Sequence, residues 1–139
     1  MNDPYNLQRF IDAQNPIYEQ VCSELRQGCK TGHWMWFIFP QIRGLGHSPM
    51  ASKFAISSLE EARAYLNDPI LDSRFRECTR LINRAEGRTI QQILGYPDVL
   101  KFRSSITLFA HATSENKDFE DALQKYFAGE YDRLTVERL

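Results

Sequence analysis

Four apolar stripes at helical spacing constrain this chain more than any other feature. Ile17, Val21 and Leu25 form the first, and Phe75, Cys78, Leu81 and Ile82 the second. Val99, Phe102, Ile106 and Phe109 form the third, and Phe119, Leu123, Tyr126 and Phe127 the fourth. Residues three and four apart share one side of a helix, so each stripe is a face that must be buried. No long Val/Ile-rich alternating run with hairpin signals competes with them, so any sheet is small.

The punctuation agrees with helices. Asp3-Pro4, Asn15-Pro16, Ser48-Pro49 and Asp68-Pro69 each place a side-chain acceptor ahead of a proline at a first helical position. Ser58-Leu-Glu-Glu61 and Thr89-Ile-Gln-Gln92 have the spacing of a reciprocal cap. Gly28, Gly87, Gly95 and Gly129 stand where helices end in left-handed turns. Only Lys30 to His47 resists assignment. The chain reads as one all-α domain, residues 1–139, with six to eight short helices around an irregular aromatic and glycine-rich middle.

Composition narrows the setting. The 12% aromatic content supplies enough surface to outweigh the entropy of ordering, which excludes a disordered chain. The 17 Lys and Arg against 18 Asp and Glu argue against a protein that coats nucleic acid. Three cysteines, odd in number and without a CxxC pair, point to a reducing cytoplasm. Met1 to Tyr5 is polar and does not resemble a leader. The longest strongly apolar run, Trp34 to Phe39, is far short of the ~20 residues that cross a bilayer, so no membrane is expected.

Charge is unevenly placed. No acid occurs between Glu24 and Glu60, whereas Arg26, Lys30, His33, Arg43, His47 and Lys53 do. A second acid-free stretch, Val99 to Ser114, holds Lys101, Arg103 and His111. Such segments gather a positive field suited to a small anionic ligand, although buried segments also exclude carboxylates for their own reasons.

Within the first stretch, Trp34 and Trp36 are either a stacking wall, with Gln41 reading a polar edge, or core plugs. Phe37 and Phe39 read as core. Gly44, Gly46 and Ser48 either offer backbone N–H groups to an anion or form an ordinary turn and cap. This GxG has neither a Rossmann pattern nor a P-loop lysine. In the second stretch, Lys101, Ser104 and Ser105 share a helix face, with Asp98 one turn before Lys101. Asp98 is either a general base or a first-turn acid that complements the helix dipole, and Arg103 either clamps an anion or forms a structural pair. Cys29 and His33 are four apart, but no second pair completes a zinc site, so neither metal nor cofactor is expected.

The string Lys30-Thr-Gly-His-Trp-Met-Trp-Phe-Ile-Phe-Pro-Gln41, with Gly44-Leu-Gly46 and Ser48, resembles a bacterial family, domain of unknown function 1810. Ala55-Ile56, Glu61-Ala62, Tyr65-Leu66, the Lys101-to-Phe109 block, Asp132 and Thr135 extend the resemblance over nearly the whole chain. It implies a mainly helical single domain in a bacterial cytosol, and no assigned activity. Members sometimes carry the label calpastatin, which implies a disordered protease inhibitor and conflicts with this aromatic-rich composition.

The expectation is one polar-rimmed aromatic pocket for a phosphorylated ligand such as a nucleotide or ADP-ribose derivative. Trp34 and Trp36 would stack the base, Lys30 and Arg103 would neutralise phosphate, and Lys101, Gly44, Gly46 and Ser48 would also line the ligand site. Gln41 and Ser104 would hydrogen-bond polar edges, and hydrolysis would use His33 or Asp98 as base. The competing reading is a non-catalytic protein-interaction module anchored by Trp34 and Trp36. Helix-turn-helix DNA binding ranks last, for want of a basic recognition helix.

Overall fold

A computed structural model describes residues 2–139 and contains ten helices among them. They are α1 Gln8–Gln14, α2 Tyr18–Arg26, α3 Met35–Ile38, α4 Pro49–Lys53, α5 Leu59–Asn67, α6 Pro69–Arg84, α7 Ile90–Leu94, α8 Asp98–Ala112, α9 Lys117–Phe127 and α10 Arg133–Val136. The fold is all-α. The count exceeds six to eight because α3, α4, α7 and α10 are single turns of four or five residues, too short for an apolar period to register.

Four of the six sequence signals mark helix starts. Ser48 accepts from the Ala51 N–H, and the Asp68 carboxylate accepts from the Ile70 and Leu71 N–H groups, each with proline following. Thr89 and Gln92 form the complete reciprocal cap. At Ser58 only half of it forms, because the Glu61 carboxylate turns instead to the N–H and hydroxyl of Ser57. Two proline signals differ. Asn15 is the C-terminal flank of α1, its amide oxygen accepting from Arg74. Asp3 caps from a distance, taking the N–H groups of Leu7 and Gln8.

Helix α8 is the axis of the core. Ten of its fifteen residues are buried, and it packs against α3, α5, α7, α9 and α10. Its buried positions run almost unbroken from Ser104 to Ala112, leaving a narrow surface strip at Asp98, Leu100, Lys101, Arg103 and His111, so it takes the centre while amphipathic α6 and α9 cover it. Aromatic rings fill the space between. Phe75 lies 4.4 Å from Phe109 and 5.2 Å from Phe119, and Phe39 lies 5.0 Å from Phe102, centroid to centroid.

The irregular middle is held at both ends. Residues 41–43 run beside 55–57 through a parallel bridge of Ile42 with Ile56, the Arg43 N–H donating to Ile56 O and the Ile56 N–H to Gln41 O. Arg9 supports that bridge from α1, its guanidinium reaching the Lys53 and Ala55 carbonyls and pairing with buried Glu61 at 3.0 Å. No described helix is long and apolar enough to cross a membrane.

Candidate functional site

The segment from Lys30 to Ser48 serves two places at once, and its tryptophans divide them. Trp34, 2% exposed, donates its indole N–H to Glu24 Oε1 at 3.0 Å. The same oxygen accepts the N–H groups of Thr31 and Gly32 at 2.8 and 2.9 Å, and Gln20 donates to the other oxygen. Burial alone would raise the Glu24 pKa. The donors from Gly32, Gln20, Thr31 and Trp34 outweigh it and hold the carboxyl at about 2. Gly32 is required by space, since a Cβ there would sit 2.9 Å from the Trp34 ring.

Lys30 completes this lock. Its ammonium pairs with Asp98 at 2.7 Å, donates to the Gly32 carbonyl and lies 5.1 Å from the Trp34 ring centroid. Its backbone N–H donates to Ile93 O, tying the segment to α7. Trp34, Lys30 and Asp98 thus join α2, the middle segment and the start of α8.

Trp36, two residues on, faces a cavity of about 560 Å³. Phe39, Ile42, Phe54 and Ala55 form its floor, with Leu45 and Ala51 beside them. Pro97, Leu100 and Lys101 line one side and Gly44 to Ser48 another. Ser104, Asp132 and Leu134 complete the wall. The Lys101 ammonium lies 4.8 Å from the Trp36 ring centroid and 3.4 Å from Asp98. A flat ligand stacking on that indole face would therefore displace the ammonium, whereas one lying on the apolar floor would meet both from the side.

Of the residues expected to bind ligand, Trp36, Gln41, Gly44, Gly46, Ser48, Lys101 and Ser104 come together on this cavity. Lys30, Trp34 and Arg103 do not line it, nor do His33 and Asp98. His33 is exposed, and the Asp98 carboxylate is shared by Lys30 and Lys101. Arg103 faces the other side of α8, where it donates to the carbonyls of Glu130 and Tyr131 and fastens the turn after α9. Trp34 as an exposed anchor is corrected by its burial, which the Glu24 carboxylate makes tolerable.

Two lining residues with ionisable side chains, His47 and Asp132, stand outside the sequence-derived set. His47 sits inside the Gly44-to-Ser48 loop, whose reading rested on backbone N–H groups and gave its side chain no role. Asp132 entered the sequence reading only through the family resemblance, and the structure makes it the cap of α10. Its place on the cavity depends on α10 folding back onto α8, which no local pattern announces. Ser104 bonds directly to Asp132 at 3.2 Å with His47 outside that bond. This is not the order of nucleophile, base and orienting acid that activates a serine.

Elsewhere, Cys22 and Cys78 are buried together between α2 and α6, beside Glu77 and Tyr18. A hydrogen bond from Cys78 lowers the Cys22 thiol to about 7, against burial, while Cys78 itself is raised.

The family profile described as "Protein of unknown function (DUF1810)" matches residues 4–139. The crystal structure of the conserved hypothetical protein Rv1873 from Mycobacterium tuberculosis is 56% identical, with a TM-score of 0.98. The match covers 99% of this chain and 98% of that one. No curated protein matches.

Proposed function

Because the chain belongs to the DUF1810 family of proteins of unknown function, we propose its function from its own cavity: it binds a small phosphorylated ligand of nucleotide size. The observation that carries this reading is the cavity of about 560 Å³, in which an apolar floor meets Lys101, Gln41 and Ser104. That volume falls inside the ~300–1,000 Å³ of small-ligand pockets, and a few polar groups on apolar walls are how such pockets orient a ligand.

Lys101 supplies the charge. Lys30 sits closer to Asp98, at 2.7 Å against 3.4 Å, so two ammonium groups share one carboxylate and the cluster keeps a net positive charge. Binding is favoured over hydrolysis, since His33 and Asp98 lie off the cavity lining. The free thiols of Cys22, Cys29 and Cys78 support a reducing, cytoplasmic setting.

Thermal unfolding of wild type and Lys101→Met against AMP, ADP-ribose and sugar phosphates tests the reading. A ligand at 100 times its dissociation constant adds about 2.7 kcal/mol, a rise of roughly 5–20 °C at this size. The rise is expected in wild type and lost in the variant, which folds because Asp98 keeps Lys30.

A second reading, a protein-interaction module, is favoured by the apolar rim. Tyr96 is 77% and Leu134 60% exposed, with Leu100 nearby. No thermal response to any compound in the panel would transfer the argument to that rim.

A further inference from the structure

Asp132 is anchored more firmly than a four-residue helix needs. Its Oδ2 accepts from the Thr135 N–H at 3.0 Å and Thr135 Oγ1 at 2.6 Å, and shares the Ser104 hydroxyl, at 3.2 Å, with the Leu100 carbonyl at 3.0 Å. Its own N–H donates to Thr107 Oγ1, and both threonines are fully buried. All these bonds to the carboxylate end on one oxygen. The other, Oδ1, accepts nothing from the described residues, yet Asp132 lines the cavity. Gln41 lines it too, and among the described residues its side-chain amide has no hydrogen-bond partner.

A carboxylate only accepts hydrogen bonds at neutral pH, whereas an amide both donates and accepts. Lys101, one turn before Ser104 on α8, pairs with Asp98 at 3.4 Å and forms no ion pair with Asp132 among the described residues. The cavity therefore has a cationic corner and an anionic corner. Resting on the proposal that the cavity binds a phosphorylated ligand, we infer that it selects one whose ring carries an exocyclic amino group. The amino N–H donates to Asp132 Oδ1, the Gln41 amide meets the adjoining ring nitrogen, and the phosphate lies towards Lys101. A fixed acceptor on a cavity wall discriminates once a ligand covers it, because an analogue lacking the donor then leaves it unpaired.

Matched pairs isolate the amino group. Titration calorimetry would compare AMP with purine riboside 5′-monophosphate, and CMP with its 4-deamino analogue, alongside ribose 5-phosphate. Wild type is expected to prefer the amino member of at least one pair by about tenfold or more, the worth of a hydrogen bond to a charged group. Asp132→Asn keeps an oxygen for the cap and presents N–H where Oδ1 was, so the preference should fall to within about twofold while phosphate binding persists. Asp132→Ser, also a good cap, serves the same purpose if the asparagine variant does not fold.

Equal affinity within both pairs in wild type, with binding still lost in Lys101→Met, overturns this inference and leaves the ligand reading standing. A preference that survives both Asp132 variants also overturns it. No binding of any of the five compounds to wild type removes the ligand reading and this inference with it.

Discussion

Trp34 and Trp36 are two residues apart, carry the same side chain and live in opposite regimes. Around Trp34 every charge and donor has a partner: the indole and two backbone N–H groups converge on Glu24, and Lys30 is closed onto Asp98 with its side chain 8% exposed. Around Trp36 the polar groups are only partly engaged, with Lys101 loosely paired, Gln41 open and Asp132 using one oxygen. Both regions are built from motif residues of one segment. A conspicuous motif is therefore not by itself a site. What separates the two is whether the fold has already satisfied the groups: Glu24 is buried and fully engaged, whereas Gln41, Lys101 and Asp132 are half-buried and keep capacity for another partner.

The largest effect should come from Glu24. Glu24→Ala strips four donors, those of Gln20, Thr31, Gly32 and Trp34, of their charged acceptor, and we expect a loss of about 3 kcal/mol, near 10 °C in a melting scan. The acid limb sharpens the point. The Glu24 carboxyl titrates at about 2 in the fold, below its ordinary value. Its contribution is thus complete above about pH 4.5 and disappears as pH falls towards 2. Glu24→Gln should flatten that limb relative to wild type. An unchanged limb would show that the carboxylate does not hold this region together.

Lys30 and Lys101 make the next contrast, because they share Asp98. Lys30→Met should cost about 2 kcal/mol, as it removes the closer and more buried partner of a carboxylate that retains only Lys101. Lys101→Met should cost no more than about 0.5 kcal/mol, because Lys30 remains and Lys101 is more exposed. Denaturant unfolding of both variants checks this. Equal losses would make the Asp98 cluster a single structural unit and remove Lys101 as the cavity's available cation.

Arg103 follows. Arg103→Ala should lose about 1–2 kcal/mol through the two carbonyls it holds after α9 and its packing on Phe127. It should leave ligand affinity at the cavity unchanged. A variant that unfolds normally but binds tenfold more weakly would return Arg103 to the site.

How much of this was legible in the sequence follows from the range of the interactions. The helices of α2, α6, α8 and α9 were readable because their stripes are local, and so were the caps at Ser48, Asp68 and Thr89. The single turns were not, since a four-residue helix such as Met35–Ile38 exists only because its surroundings hold it. At the site, Lys101 and Ser104 could be placed on one face by helical geometry alone. Whether Trp34 or Trp36 was the open one depended on Glu24, ten residues before Trp34 and on another helix. The role of Asp132 depended on contacts of α10 with α8, 25 or more residues away in sequence. Residue type announces what a side chain can do, and only long-range packing decides whether it is already doing it.

The smallest stability effect isolates the comparison most cleanly. Trp34→Phe and Trp36→Phe remove the same indole N–H from neighbouring positions. At 34 the loss takes a donor from buried Glu24 and leaves a gap beside Gly32, so about 1–2 kcal/mol should go. At 36 no hydrogen bond from the indole to the protein is lost, and phenylalanine still offers a ring face to Lys101, so less than about 0.5 kcal/mol should go. Ligand binding should reverse the order, with Trp36→Phe weakening a cavity ligand and Trp34→Phe leaving its affinity near wild type once the protein is folded. Equal stability losses at both positions would mean that Trp36 is core after all. The cavity would then lose the aromatic wall on which its reading as a binding site partly rests.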